Sequence, residues 1–237
     1  MRKVSVFNSV TLDGVMQAPG RADEDPRGGF AHGGWAVPYN DEVLGQFVAE
    51  GMGDAGPLLL GRRTYEDFYS FWPHQTGNPF TEVLDNTLKY VASTSMTEPL
   101  PWRNSELLAG DAADAVARLK QEPGKDLTIL GSGELIQSLR RRDLIDEYVL
   151  LIHPLVLGSG RRLFCDGGPA ATLRLVDATP TTTGVIIATY RPAGRSGPRQ
   201  GRGGAPGCRS TCSASTSPTA PLQRPRCWSG SRPTSTS

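Results

Sequence analysis

Cysteine is nearly absent from the part of this chain that can fold. Of four cysteines, Cys208, Cys212 and Cys227 stand in a C-terminal stretch and Cys165 is alone before it. One cysteine supports no internal disulfide framework and suits a reducing compartment. The three late cysteines lack histidine partners and Cys-x-x-Cys spacing, which argues against zinc. Histidine is equally scarce: His32, His74 and His153 have no short-spaced partner, so a metal site is not expected. His153, inside an apolar strand, reads as a packed histidine rather than a catalyst. No apolar run reaches the length of a membrane span. Arg2-Lys3 is followed by a short apolar strand and then polar residues, which does not fit a signal peptide. Together these absences predict a cytoplasmic protein without a membrane segment.

Acid is missing altogether from residues 195–237, which consist mainly of Arg, Ser, Gly, Pro and Thr. Removing that stretch's seven arginines from the 25 basic residues leaves 18 against 24 acids, so residues 1–194 carry about −6. A segment so poor in aliphatics cannot offset its ordering entropy and reads as a disordered tail. An arginine-rich tether to an anionic surface is one reading of it, and an extension without function is the other. Trp228 is its sole aromatic residue, so it offers bases no stacking platform and argues against nucleic acid.

Residues 1–194 alternate strand-like and helix-like segments and suit one core. Val4, Val6, Asn8 and Val10 share one face of a first strand, an alternation that Asn8 interrupts. Asn40 is a candidate cap for a helix reaching Gly51, with Asp41 and Glu42 in its electrostatically favoured first turn. Strands are expected at Leu58–Leu60, Tyr90–Ala92, Leu127–Leu130, 148–157 and 185–190. Helices are expected from Thr64, over 79–88 and over 111–121. Strands alternating with helices and then a β-rich end predict an α/β fold. Its sheet would be mostly parallel, with antiparallel strands at one edge.

Two strand-to-helix junctions carry the chemistry. In Leu60-Gly61-Arg62-Arg63-Thr64-Tyr65 an apolar strand ends in glycine and a helix opens on two arginines and a threonine. A helix start offers free N–H groups and partial positive charge to a phosphate. Paired guanidiniums can grip a second phosphate, such as the 2′-phosphate that separates NADPH from NADH. A surface turn with two solvated arginines is the plain alternative. In Leu130-Gly131-Ser132-Gly133 two glycines let backbone approach a ligand, although Ile136 stands where a third fingerprint glycine would be. Asp13-Gly14 marks a turn directly after the first strand. There Asp13 can serve as a working carboxylate or simply make the turn.

In order, Thr11-Leu12-Asp13-Gly14, Leu60–Tyr65, Tyr90-Val91-Ala92-Ser93-Thr94, Leu130–Gly133, Leu144–Tyr148 and His153–Gly160 resemble the dihydrofolate reductase superfamily. The likeness runs from about Val4 to Pro192 and is closest to the reductase domain of riboflavin biosynthesis. It implies a three-layer fold with helices on both faces of the sheet. It also implies an NADPH-dependent oxidoreductase acting on a small heterocycle or a carbonyl- or imine-like carbon, similar to 5-amino-6-(5-phosphoribosylamino)uracil reductase. By matching position, Gly61, Arg62, Arg63 and Thr64 bind NADPH phosphates, and Ser93 and Thr94 lie near the 2′-phosphate. Gly131, Ser132 and Gly133 pass under the pyrophosphate, and Met16 borders the nicotinamide. Asp13 would orient substrate or relay a proton.

The sequence departs from that pattern at Leu130, where the riboflavin reductases carry a glutamate. In a dihydrofolate-type reductase the acid follows Trp-x-x-Pro; here Trp35-Ala36-Val37-Pro38 leads to Asp41, displaced by one residue. A domain that kept the nucleotide cleft and lost its chemistry is the alternative from another class. The relatives also suggest a homodimer, formed through the late apolar strand and the following 158–162 loop.

Overall fold

Short apolar runs, too short for helices and buried on both faces, fix the centre of the sheet. Leu58, Leu59 and Leu60 are all but inaccessible, as are Leu127 and Ile129, the pattern of parallel strands covered by helices on each side. The computed structural model describes residues 1–53 and 56–194. The expected disordered tail, 195–237, lies outside the described residues.

Among the described residues, eight strands form one sheet: β1 (Val4–Thr11), β2 (Leu58–Gly61), β3 (Lys89–Ala92), β4 (Ser105–Leu108), β5 (Leu127–Leu130), β6 (Glu147–His153), β7 (Leu173–Pro180) and β8 (Ile186–Pro192). Their order is β4-β3-β2-β5-β1-β6-β8-β7. Pairing is parallel from β4 to β6, and β8 runs antiparallel to both β6 and β7. The mostly parallel sheet with an antiparallel edge is therefore present. Among the described residues, five α-helices accompany it: α1 (Glu42–Gly53), α2 (Arg62–Phe71), α3 (Pro79–Asn86), α4 (Ala112–Gln121) and α5 (Gly133–Arg141).

The register sorts side chains into two layers. Val4 and Val6 face Leu127 and Ile129 across the β1–β5 ladder. With Leu59 they form one core under α4 and α5, sealed by Ala113, Val116, Ile136 and Leu139. The opposite face packs Leu58, Leu60 and Val91 against Tyr65 of α2 and Leu84 of α3. Farther along that face, Leu151 and Ile187 meet Leu44 of α1. Between α1 and α3 the sheet is left uncovered, and Ser5, Phe7, Ser9, Thr128, Leu130 and Val149 are only half-buried.

The first-strand alternation is realised, with Val4, Val6, Asn8 and Val10 all buried. Two local expectations differ from the structure. The residue that caps α1 is Asp41, whose Oδ1 accepts the Leu44 amide at 2.8 Å, rather than Asn40. Strand β6 ends at His153 instead of continuing to Leu157, because Leu155 N turns back to the His153 carbonyl at 2.7 Å. The edge strands β4 and β7 carry little sequence signal, since most of their side chains are not buried.

Candidate functional site

The carboxyl ends of β5, β2 and β3, with the turns that follow them, open into a cleft of about 1570 Å³. That exceeds the roughly 300–1,000 Å³ of a usual small-molecule site and leaves room for two molecules side by side.

Two helix starts meet at its centre. Strands β2 and β5 are neighbours, so α2 and α5 begin side by side although their first residues are far apart in sequence. Ser132 Oγ accepts the Gly61 amide at 2.8 Å and donates to Thr64 Oγ1 at 2.9 Å, stapling the two junctions together. Neither helix start is capped by a side chain, so their leading N–H groups face the cleft without an internal partner. Gly131 (φ 59°) and Ser132 (φ 62°) are consecutive left-handed residues, a shape glycine adopts freely and serine does not. A Cβ on Gly131 would stand 3.3 Å from Thr64 Cγ2, and one on Gly133 3.2 Å from Met16 Sδ. Ser132 is not glycine, so its left-handed shape carries a local strain of about 1–2 kcal/mol.

Charge surrounds this cradle. Arg62 NH1 pairs with Glu66 at 3.0 Å along α2, and Arg63 NH1 reaches Glu134 of α5 at 3.3 Å. Both pairs are exposed, so either guanidinium can exchange its carboxylate for a phosphate at little cost. Ser93 Oγ accepts the amides of Ser95 and Met96, each at 3.1 Å, and shapes the turn after β3. Met16, Gly61, Arg62, Arg63, Thr64, Ser93, Thr94, Gly131, Ser132 and Gly133 all line the one cleft.

Two further side chains stand there with unused donors. Asn8 is 6% exposed; its Oδ1 accepts the Gly131 amide at 3.1 Å, while Nδ2 has no partner in the protein. Arg27 binds Asp25 through Nε (2.6 Å) and NH2 (2.5 Å) and leaves NH1 unpartnered. Buried donors of this kind are costly unless a ligand or water completes them. Both residues were missed by sequence reasoning. The signal for Asn8 was present: it is the polar residue that interrupts an otherwise apolar strand face.

The two candidate acids do not join the cleft lining. Asp13 Oδ1 accepts from Thr11 Oγ1 at 2.6 Å and from Leu157 N at 3.2 Å, and Oδ2 accepts from Gly158 N at 2.9 Å. The Thr11 hydroxyl and the Gly158 and Leu157 amides hold its carboxyl below the usual range, against the opposing effect of burial. It fastens the 155–160 loop to the end of β1. Asp41 Oδ2 accepts from Thr182 Oγ1 at 2.6 Å, Thr182 N at 2.7 Å and Thr183 N at 3.3 Å. The Thr182 hydroxyl, followed by the Leu44 amide, pulls this carboxyl down to about 2. It joins the start of α1 to the β7–β8 turn. Asp13 and Asp41, expected to handle substrate, are both engaged by protein donors and stand outside the cleft lining.

A loop closes the cleft from above. Gln17, nearly fully buried, donates to the Asp25 and Arg27 carbonyls at 2.9 Å and accepts Arg161 N at 2.9 Å. Arg21 pairs with Asp67 of α2 at 2.5 Å and lies 4.3 Å over the Phe71 ring. His153 is packed inside: Nδ1 lies 2.9 Å from the Leu151 carbonyl, and the rings of Trp35 and Tyr39 meet it edge-on. Burial holds its pKa below the ordinary histidine value. Among the described residues no three His, Cys, Asp or Glu side chains group as metal ligands, and no helix is long and apolar enough to cross a membrane.

An eight-stranded mixed sheet with this order, helices on both faces and a cleft over the parallel strand ends define a dihydrofolate reductase-like fold. Residues 2–187 match the RibD C-terminal domain family, to which the chain belongs. The curated protein YyaP of Bacillus subtilis (strain 168), described as uncharacterized, is 28% identical over 196 residues, covering 80% of this chain and 94% of the relative. The crystal structure of a protein named for riboflavin biosynthesis, from Shewanella sp. PV-4, superposes with a TM-score of 0.58 at 25% identity, covering 80% and 98% of the two chains. A diaminohydroxyphosphoribosylaminopyrimidine deaminase/5-amino-6-(5-phosphoribosylamino)uracil reductase from Thermotoga maritima shares the fold at a TM-score of 0.53 and 15% identity. There the match covers 81% of this chain and 56% of the other. Family and fold together place the chain among reductase-like proteins.

Proposed function

We propose that this protein is an NADPH-dependent reductase of a small heterocyclic or carbonyl/imine-type substrate. The observation that carries the reading is the Gly61–Thr64–Ser132 staple. It holds two uncapped helix starts side by side, flanked by Arg62 and Arg63 and by an Asn8 amide without a protein partner. The donor set fits a dinucleotide: N–H groups for the pyrophosphate, guanidiniums for a further phosphate, and a buried amide donor for a carboxamide or ring oxygen.

When bound, the cofactor supplies the hydride; the protein supplies position and charge. Thr64 and the 131–133 turn hold the pyrophosphate, and Arg62, Arg63 and Ser93 select the 2′-phosphate. Met16 and Asn8 border the reacting ring. Gln17 and the loop it orders exclude water from above. Asp13 and Asp41 act from outside the cleft, tying down the 155–160 loop and the start of α1.

A dihydrofolate-type reductase with Asp41 as its acid is the second reading, but the bonds from Thr182 and Thr183 already fill that carboxylate. A nucleotide-binding domain without chemistry would share the cleft and is distinguished by turnover alone. A homodimer is part of the proposal; β6, the strand expected to form it, is paired on both sides by β1 and β8, and the edge is instead β7, with Leu175 51% and Val176 38% exposed. Such an edge is usually paired or covered, and light scattering on the eluted protein measures this directly. Cytoplasmic residence is proposed on the same footing, from the single cysteine of residues 1–194.

The test is a titration of the protein with NADPH and with NADH, followed by tryptophan quenching. NADPH should bind at least about tenfold more tightly, and Arg62→Ala with Arg63→Ala should erase that preference. Equal losses for the two nucleotides would overturn the 2′-phosphate assignment.

A further inference from the structure

The cleft has a second half that the cofactor residues do not use, and its chemistry is distinctive. Its floor is the uncovered sheet between α1 and α3. Phe7 lies opposite Leu130 on β5 and Val149 on β6, while Ser5 lies opposite Thr128. All are half-buried and line the cleft. One wall is α1, which contributes Phe47, Val48, Gly51 and Met52; Phe47 stacks with Phe7 at 6.4 Å and 15° between planes. The other wall is Phe68 and Trp72 with Phe80 and Val83 of α3. Trp72 keeps its buried indole N–H without an acceptor.

Among the described residues, nothing that forms this floor or these walls is charged. The nearest charges are the acids of the overlying loop and α2, Glu24 and Asp67. Asp67 is paired with Arg21, and Glu24 takes the Gly20 and Arg21 amides at 2.7 and 3.1 Å. Arg27, which also lines the cleft, spends Nε and NH2 on Asp25. A phosphorylated ligand entering the groove would lose its hydration with no cation to replace it, a large penalty. A flat apolar ring would bury its faces against Phe7, Phe47, Val48 and Leu130. A ring carbonyl or nitrogen could accept from the Ser9 and Thr128 hydroxyls on the floor.

We infer that the groove floored by Phe7, Ser9, Thr128 and Leu130 binds an uncharged, planar aromatic or heteroaromatic molecule that carries no phosphate. That the molecule is the substrate rests on the reductase reading above; that the groove takes such a molecule does not.

The test is calorimetric titration of the full chain, with NADP+ present in excess to fill the phosphate cradle, using naphthol and naphthyl phosphate as a matched pair. Naphthol should bind saturably, and naphthyl phosphate at least about tenfold more weakly. Phe47→Ala should weaken naphthol by about tenfold while leaving the NADP+ affinity unchanged. Thr128→Lys, which puts a cation on the floor without removing a core side chain, should bring naphthyl phosphate up to or past naphthol. Naphthyl phosphate binding as well as naphthol to the unaltered protein would overturn the inference, as would indifference of naphthol to both substitutions. NADP+ failing to bind while naphthol keeps its preference and its response to Phe47→Ala would overturn the cofactor reading and uphold the groove.

Discussion

Ser132 Oγ lies 2.9 Å from Thr64 Oγ1, and this contact decides how the two helix starts of the cleft stand toward each other. The same hydroxyl accepts the Gly61 amide, so a single atom sets the spacing of both phosphate-facing turns. It is held in a left-handed backbone shape that serine seldom adopts, and the neighbouring strand ends over-determine it.

Ser132→Ala removes both hydrogen bonds and leaves the Gly61 amide unpaired. Each such bond has a net worth of about 0.5–1.5 kcal/mol, so NADPH affinity should fall roughly tenfold. Tryptophan quenching measures it. Ser132→Gly relieves the strain but lacks the hydroxyl, and it should lose affinity equally while unfolding at higher urea than the alanine variant. If the alanine variant keeps full affinity, the staple does not organise the site.

Gly131→Ala tests the adjoining residue. Its left-handed φ costs alanine about 1–2 kcal/mol, and the new Cβ would press on Thr64. Urea unfolding should show that loss, together with a marked weakening of NADPH. Retention of full NADPH affinity would show that the turn tolerates displacement and is not a close-fitting cradle.

Asp13→Asn separates anchoring from catalysis. The carboxylate holds the Leu157 and Gly158 amides, and an asparagine can satisfy only part of that set. Stability should drop by roughly 1–2 kcal/mol, with NADPH affinity unchanged. A selective collapse of kcat at unaltered stability would instead make Asp13 a participant in the reaction.

Asp41 predicts an acid limit. Its carboxyl is held at about 2, against 3.8 for the free group. A carboxyl depressed by folding contributes stability that is complete above the unfolded value and lost as pH falls through the folded one. The melting temperature of the protein should therefore exceed that of Asp41→Asn at pH 6. The gap should close as pH falls from about 4 toward 2. A gap independent of pH would mean that Asp41 acts through packing alone.

The short-range signals of this chain were readable because their causes are local. Apolar triplets ending in glycine, followed by a helix-forming pattern, fixed β2–α2 and β5–α5 together with Arg62, Arg63 and the 131–133 turn. The interruption by Asn8 was visible too, but its cause was not. A polar residue in an apolar strand acquires meaning only when the structure shows Oδ1 engaged by Gly131 and Nδ2 left free. Strands β4 and β7 were hidden because edge strands need not bury either face fully, which weakens the alternation that betrays a strand.

Sequence by itself thus determined the fold class, the parallel core strands and two glycine junctions able to face phosphate, since backbone propensity and apolar periodicity act over a few residues. Tertiary structure alone decided that those junctions are neighbours, because strand order places β5 between β2 and β1. It also decided that Asp13 and Asp41, beyond their local bonds to Thr11 and Leu44, meet donors more than a hundred residues away in Leu157, Gly158, Thr182 and Thr183. Which donors a carboxylate meets is a property of loops brought together by the packed sheet, and no local pattern encodes it.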